Sequence, residues 1–266
     1  MPQRTPHGTV YEIWGQGEAS VVLVHGLGLN RHAWQWQIPA LADGFRVIVY
    51  DLLGHGESSL PSQQPCLAVF SSQLLELLDH LGIEQAAVLG FSLGGMIARR
   101  FGMDHPERLW ALGILHSAHA RDAQAQEAIL KRVQQARAEG PAATVEAALG
   151  RWFTDGFRAA NPALMDSVRS WILANRKEVY WPIYQVLADG VAELVAPSPP
   201  VKVPALVMTG DEDYGNSPEM SRAIASELPK SELAILPGLR HMALAEAPDM
   251  FNARLVDFLN RVKPNG

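Results

Sequence analysis

The fold of this chain is constrained most by short apolar runs that do not alternate in polarity. Val21-Val22-Leu23-Val24 is one of them. A strand buried on both faces reads this way, because neither side meets water. Strands are expected at Thr9 to Trp14, Val21 to His25, Arg46 to Tyr50, Ala86 to Gly90, Leu112 to His116, Ala205 to Gly210 and Leu233 to Leu236. Segments of helical period lie between them. Leu67 to Leu81 carries an amphipathic stripe of Leu74, Leu75, Leu77, Leu78 and Leu81. Ser92 to Met103 follows a strand directly. Ser217-Pro218 places a cap and a first-turn proline in Asn216 to Glu227, and Pro248 to Arg261 also starts on proline. Alternation of this kind predicts an α/β fold, a mostly parallel sheet covered by helices.

The rhythm breaks between about Ala120 and Val195. Four helices are expected there, at Asp122 to Glu139, Ala142 to Trp152, Pro162 to Asn175 and Glu178 to Val195, with no convincing strand. Pro197, Pro199 and Pro200 mark the return to the sheet. A helical lid is therefore expected at residues 120–196, inserted in an α/β core made of residues 1–119 and 197–266.

Composition removes other classes. With 48% hydrophobic and 19% charged residues the chain is too apolar for disorder. A net charge of −6 without a basic run argues against nucleic acid as a partner. No apolar stretch approaches the roughly 18 residues of a membrane span, and the polar start Met1 to Gly8 does not read as a signal peptide. A single cysteine, Cys66, excludes an internal disulfide and thiolate metal clusters. These readings fit a cytoplasmic enzyme.

The chemistry is sharpest at Gly90-Phe91-Ser92-Leu93-Gly94, followed by Gly95, between an expected strand and an expected helix. That is the G-x-S-x-G nucleophile elbow in its strand–turn–helix setting. The turn lifts the Ser92 hydroxyl above the sheet and sets it at a helix N-terminus, where negative charge is favoured. Serine needs a neighbouring base. His241, in the loop after the last strand, lies at the same sheet edge as the serine turn, and the chain order Ser, Asp, His fits this arrangement. A carboxylate must orient that base. Of the acids in Gly210-Asp211-Glu212-Asp213, Asp213 has the room to turn back toward His241, and Asp211 reads as a turn former. Backbone N–H groups of Leu93 and of Leu27, in His25-Gly26-Leu27-Gly28, are the expected oxyanion donors. His25 reads as a structural residue of its loop. The segment Asp51 to Ser58 reads as a wall of the site, with Ser58 near the pocket.

These motifs, His25-Gly26, Asp51 to Ser58, Gly90 to Gly94, Gly210 to Asp213 and His241, resemble the α/β-hydrolase superfamily over nearly the whole chain. The resemblance implies an eight-stranded, mostly parallel sheet with helices on both faces and a helical lid over the site, and it supports Asp213 as the third catalytic residue. Gly90 to His105, Arg151 to Thr154 and Gly238 to Pro248 look most similar to the 3-oxoadipate enol-lactonase group and related ring-cleavage-product hydrolases. The implied activity is hydrolysis of a small carboxylic ester, enol-lactone or amide-type product in aromatic or N-heterocycle catabolism. Carbon–carbon bond hydrolysis and cofactor-independent oxygenation are the alternatives on the same fold. Serine at position 92 argues against haloalkane dehalogenases and epoxide hydrolases, which carry aspartate there. No metal and no organic cofactor is implied.

Specificity should come from the lid. It carries Arg121, Arg132, Arg137, Arg151, Arg158, Arg169 and Arg176. Exposed arginine is the default, but one or two turned inward would bind a substrate carboxylate through two hydrogen bonds. Arg121, at the start of the lid, is the expected one. Trp152, Trp181 and Tyr184 are expected as walls of the apolar part of the pocket.

Overall fold

The computed structural model describes residues 1–264. Eight strands form one sheet: β1 (Gln3–Arg4), β2 (Val10–Trp14), β3 (Ser20–Val24), β4 (Arg46–Tyr50), β5 (Ala86–Phe91), β6 (Leu109–Leu115), β7 (Ala205–Gly210) and β8 (Ser231–Leu236). Their order is β1-β2-β4-β3-β5-β6-β7-β8. β2 runs antiparallel to both of its neighbours, and every other pairing is parallel. Every residue of β3, β5, β6 and β7 is buried, so both faces of the central sheet are covered. The order reverses beside β3, which lies between β4 and β5. Loops leaving β3 and β5 diverge there, and a crevice opens at the strands' C-terminal ends.

Outside the stretch between β6 and β7, the α-helices are α1 (Ile38–Ala42), α2 (Leu67–His80), α3 (Leu93–Asp104), α9 (Pro218–Glu227), α10 (Ala243–Glu246) and α11 (Pro248–Val262). α2 packs on α3, and α1 on α11. Between β6 and β7 lie α4 (Ala123–Glu139), α5 (Val145–Trp152), α6 (Asp155–Ala160), α7 (Pro162–Leu173) and α8 (Lys177–Asp189). No strand occurs in that stretch among the described residues. No helix among them is long and apolar enough to cross a membrane.

The helical stretch is tied to the sheet's C-terminal edge by backbone-directed hydrogen bonds. Met242 N–H donates to Trp152 C=O at 2.9 Å, and Arg240 Nη1 donates to Phe153 C=O at 2.9 Å. Asn175 Nδ2 donates to Gly28 C=O at 3.0 Å.

Several bounds differ from the sequence expectation, each for a physical reason. β1 is a two-residue exposed strand with no apolar pattern to reveal it. β8 starts at Ser231, two residues before the apolar run, because it is an edge strand whose exposed Glu232 still pairs with Leu206. α6 carries no apolar periodicity that buries a side chain. α5 starts at Val145 because Pro141–Ala143 forms a separate 3-10 turn, and α8 stops at Asp189, where Gly190–Glu193 tightens into another.

Candidate active site

β5 ends at Phe91 and α3 begins at Leu93, so Ser92 makes the whole turn, with φ 58° and ψ −116°. A non-glycine residue there is strained and is held by its surroundings. Ser92 N–H donates to Leu115 C=O at 2.8 Å, and Ser117 Oγ donates to Ser92 C=O at 2.9 Å. The flanking glycines are required by space. A Cβ on Gly90 would lie 2.0 Å from Gly94 O, and one on Gly94 would lie 2.1 Å from Val24 O. The elbow therefore presses β5, α3 and the end of β3 together at backbone contact.

His241 follows β8, and Asp213 follows β7. His241 Nδ1 lies 2.7 Å from Asp213 Oδ2, with both residues buried. That bond occupies Nδ1 and leaves Nε2 as the nitrogen available to the cavity. The other oxygen, Asp213 Oδ1, accepts the backbone N–H groups of Asn216 at 3.0 Å and Gly215 at 3.2 Å. His116, at the end of β6, lies 2.9 Å from Oδ2 through its own Nδ1. Burial pushes the Asp213 pKa up, but attraction to His241 and the hydrogen bonds from both histidines outweigh it and hold the carboxyl well below the usual range. Burial lowers the pKa of His116. Asp211 is exposed, and its Oδ1 meets Leu239 N–H at 3.3 Å.

Ser92 and His241 open on the same cavity, which Leu27, Asp213, Asn216, Trp152, Tyr180 and Tyr184 also line. No hydrogen bond joins Ser92 to His241 among the described residues; in such sites this contact often tightens only with substrate seated. Leu93 is the first residue of α3, where the helix ladder leaves its N–H without an acceptor. The loop that carries Leu27 is clamped by two neutral imidazoles. His25 Nε2 accepts Leu52 N–H at 3.0 Å while its Nδ1 meets Gly26 C=O at 2.8 Å, and His55 Nε2 accepts Gly28 N–H at 3.0 Å. Burial lowers His25 to about 4 and His55 to about 3.

Two expectations need correction. Trp181 does not line the cavity; its ring lies under the Arg137 guanidinium, 4.8 Å away, because α8 turns it from the site. Ser58 is not at the pocket either. Its Oγ donates to Asp51 C=O at 2.7 Å and accepts Val10 N–H at 2.9 Å, which fastens the loop to β2. Arg121, Trp152 and Tyr184 do line the cavity, and Arg132 and Arg151 join them. His116 and Asn216 were missed by the sequence reading. The available signal for His116 was its place at the end of the strand beside the elbow.

The ligand-capable atoms of His116, Asp213 and His241 fall within 4.8 Å of one another. Their separations of 2.7 and 2.9 Å are those of hydrogen bonds. A tetrahedral ion with bonds of about 2.0–2.2 Å would hold its ligand atoms about 3.3 Å apart.

The sequence profile of the family described as the alpha/beta hydrolase fold matches residues 19–248, and the chain belongs to that family. It is a hydrolase. The 3-oxoadipate enol-lactonase 2 of Acinetobacter baylyi is 29% identical, over 91% of this chain and 89% of its own length. The (E)-2-((N-methylformamido)methylene)succinate hydrolase of the same organism is 27% identical, over 96% of this chain and 94% of its own. The crystal structure of the enol-lactonase from Burkholderia xenovorans superposes with a TM-score of 0.87 at 30% identity, covering 95% of this chain and 97% of that one.

Proposed function

We propose that this chain is a serine hydrolase that cleaves a small carboxylate-bearing ester, enol-lactone or amide-type ring-cleavage product by two-step acyl transfer. The observation that carries this reading is the opening onto one cavity of Ser92, held at the strained elbow, and His241, paired with Asp213 at 2.7 Å. His241 Nε2 takes the Ser92 proton as Oγ attacks the carbonyl carbon. The N–H groups of Leu27 and Leu93 hold the oxyanion, a contribution of about 10²–10³ in rate per donor. The imidazolium, stabilised by ionised Asp213, passes its proton to the leaving oxygen or nitrogen, and the acyl group stays on Ser92. A water then gives a proton to His241 and attacks the acyl carbon; as the bond to Ser92 Oγ breaks, the imidazolium returns that proton to Oγ, which releases the acid and restores Ser92 and neutral His241.

Relatives named for an enol-lactone and for a substituted succinate support a small acidic substrate. A cytoplasmic role in aromatic or N-heterocycle catabolism belongs to the same reading. Ser92→Ala, assayed on short p-nitrophenyl esters, tests it: turnover should fall at least about 10³-fold. Undiminished turnover would sink the serine mechanism.

A further inference from the structure

The seven arginines between β6 and β7 fall into three groups. Three have an acid beside them: Arg158 with Asp155 at 2.7 Å, Arg169 with Glu146 at 2.5 Å and Arg176 with Glu178 at 3.9 Å. Arg137 lies over Trp181. The other three, Arg121, Arg132 and Arg151, line the cavity that holds Ser92 and His241, and none of them forms an ion pair among the described residues. Their hydrogen-bond partners are neutral, and Asp189 attracts Arg121 only from beyond ion-pair distance. Arg121 Nη1 donates to Ala188 C=O at 3.3 Å, and Arg132 Nε donates to Tyr184 Oη at 3.1 Å. The carboxylate nearest the reacting groups, Asp213, is committed to His116 and His241.

All three guanidiniums are half-buried. Burial lowers Arg121 to about 10 and lowers Arg151 as well, and the charge of Arg132 pushes both further down. Arg121 nevertheless stays charged at neutral pH. Three partly desolvated positive charges that repel one another are unfavourable unless a ligand balances them. One carboxylate would leave two of them unmatched. They come from three separate segments, the loop before α4, α4 itself and α5, which suits charges spread along a ligand better than one compact anion. The chain as a whole carries −6, so attraction of an anion must be local.

We propose that the substrate carries at least two carboxylates, held by Arg121, Arg132 and Arg151, with its scissile carbonyl toward Ser92. This rests on the serine-hydrolase reading for the placement of the carbonyl, and on the arginines alone for the charge. Planar guanidiniums with several donors each suit carboxylates through paired hydrogen bonds.

The test is competitive inhibition of p-nitrophenyl acetate hydrolysis by succinate, glutarate and adipate, each against its mono-amide, with inorganic phosphate as a compact anion. The tightest diacid should inhibit at least about 30-fold better than its mono-amide, the factor expected for one charge-assisted pair. Arg132→Gln and Arg151→Gln, each checked for an unchanged melting curve, should bring that ratio within threefold, about the level of a lost pair. The proposal is overturned if diacid and mono-amide inhibit alike in the wild type, if both substitutions leave the ratio intact, or if phosphate binds more tightly than every diacid. Should p-nitrophenyl acetate not turn over, fluorophosphonate labelling of Ser92 decides the serine reading on its own. The same series titrated calorimetrically into Ser92→Ala protein then decides the charge proposal independently.

Discussion

His116 points its Nδ1 at Asp213 Oδ2 from 2.9 Å, the same oxygen that pairs with His241 at 2.7 Å. Two imidazoles thus share one carboxylate oxygen, and only His241 also lines the cavity. His116 Nε2 is buried without a hydrogen-bond partner among the described residues, and burial lowers the pKa of this ring, so His116 is a neutral donor to Asp213. It is a positioning residue. In His116→Ala, Asp213 loses the donor that fixes the oxygen it offers to His241. Turnover should fall about tenfold, the factor carried by about 1.4 kcal/mol of a charge-assisted hydrogen bond. His116→Asn keeps a donor and tolerates the positive φ of 49° at this position, so it should restore most of that loss. An equal fall in both variants, with unchanged melting curves, would contradict the positioning role.

The elbow predicts an intolerance that burial alone would not. In Gly94→Ala the new Cβ would meet Val24 O at 2.1 Å and His25 O at 2.8 Å, both backbone atoms that cannot turn aside. Urea denaturation should show a loss of about 3 kcal/mol or more. A loss below about 1 kcal/mol would mean that the turn relaxes more easily than this packing allows.

Stability should fall steeply in mild acid. His25, His55 and His116 are buried, and their pKa values are lowered in the folded protein, to about 4 and about 3 for the first two. The unfolded chain takes up protons near the ordinary histidine value of about 6.5, where the folded one does not. Proton uptake by the unfolded state therefore erodes stability as pH drops below about 6.5, by up to about 4 kcal/mol per pH unit for three such groups. Thermal midpoints measured from pH 7.5 to 5 should decline throughout the lower half of that range. A flat profile to pH 5 would contradict the neutral, buried state of these rings.

Two tryptophans in the helical stretch between β6 and β7 should behave differently. The Trp152 ring lies 5.9 Å from the His241 ring and lines the cavity, whereas Trp181 lies outside it under Arg137. Trp152→Ala should raise KM about tenfold or more, as loss of a large apolar wall does. Trp181→Ala should leave kcat/KM within about twofold and act on stability instead. Steady-state kinetics of the two variants side by side decide this.

Much of this was legible because it is written in local pattern. The non-alternating run Val21 to Val24 gave a strand buried on both faces, and the tight spacing of Gly90, Ser92 and Gly94 follows from contacts among backbone atoms a few residues apart. The choice of Asp213 over Asp211 agrees with the geometry, because only Asp213 reaches back to His241. What the pattern could not show depends on residues far apart in sequence. His116 meets Asp213 across 97 positions, so its place at the end of β6 puts it at the right sheet edge without naming its partner. Seven arginines in one helical stretch look alike in one dimension, and only their packing separates the surface-paired ones from the three at the cavity. Trp181 was misplaced for the same reason, since a helix's apolar stripe does not say which of two apolar surroundings it meets.

The central claim is that Ser92 is the nucleophile, activated by His241. Reaction with a fluorophosphonate probe, followed by intact-mass and peptide mass spectrometry, tests it most directly. The account predicts a single adduct on the peptide that carries Ser92, absent from Ser92→Ala and formed much more slowly in His241→Ala. An adduct at another residue, or undiminished labelling of Ser92→Ala, would contradict it.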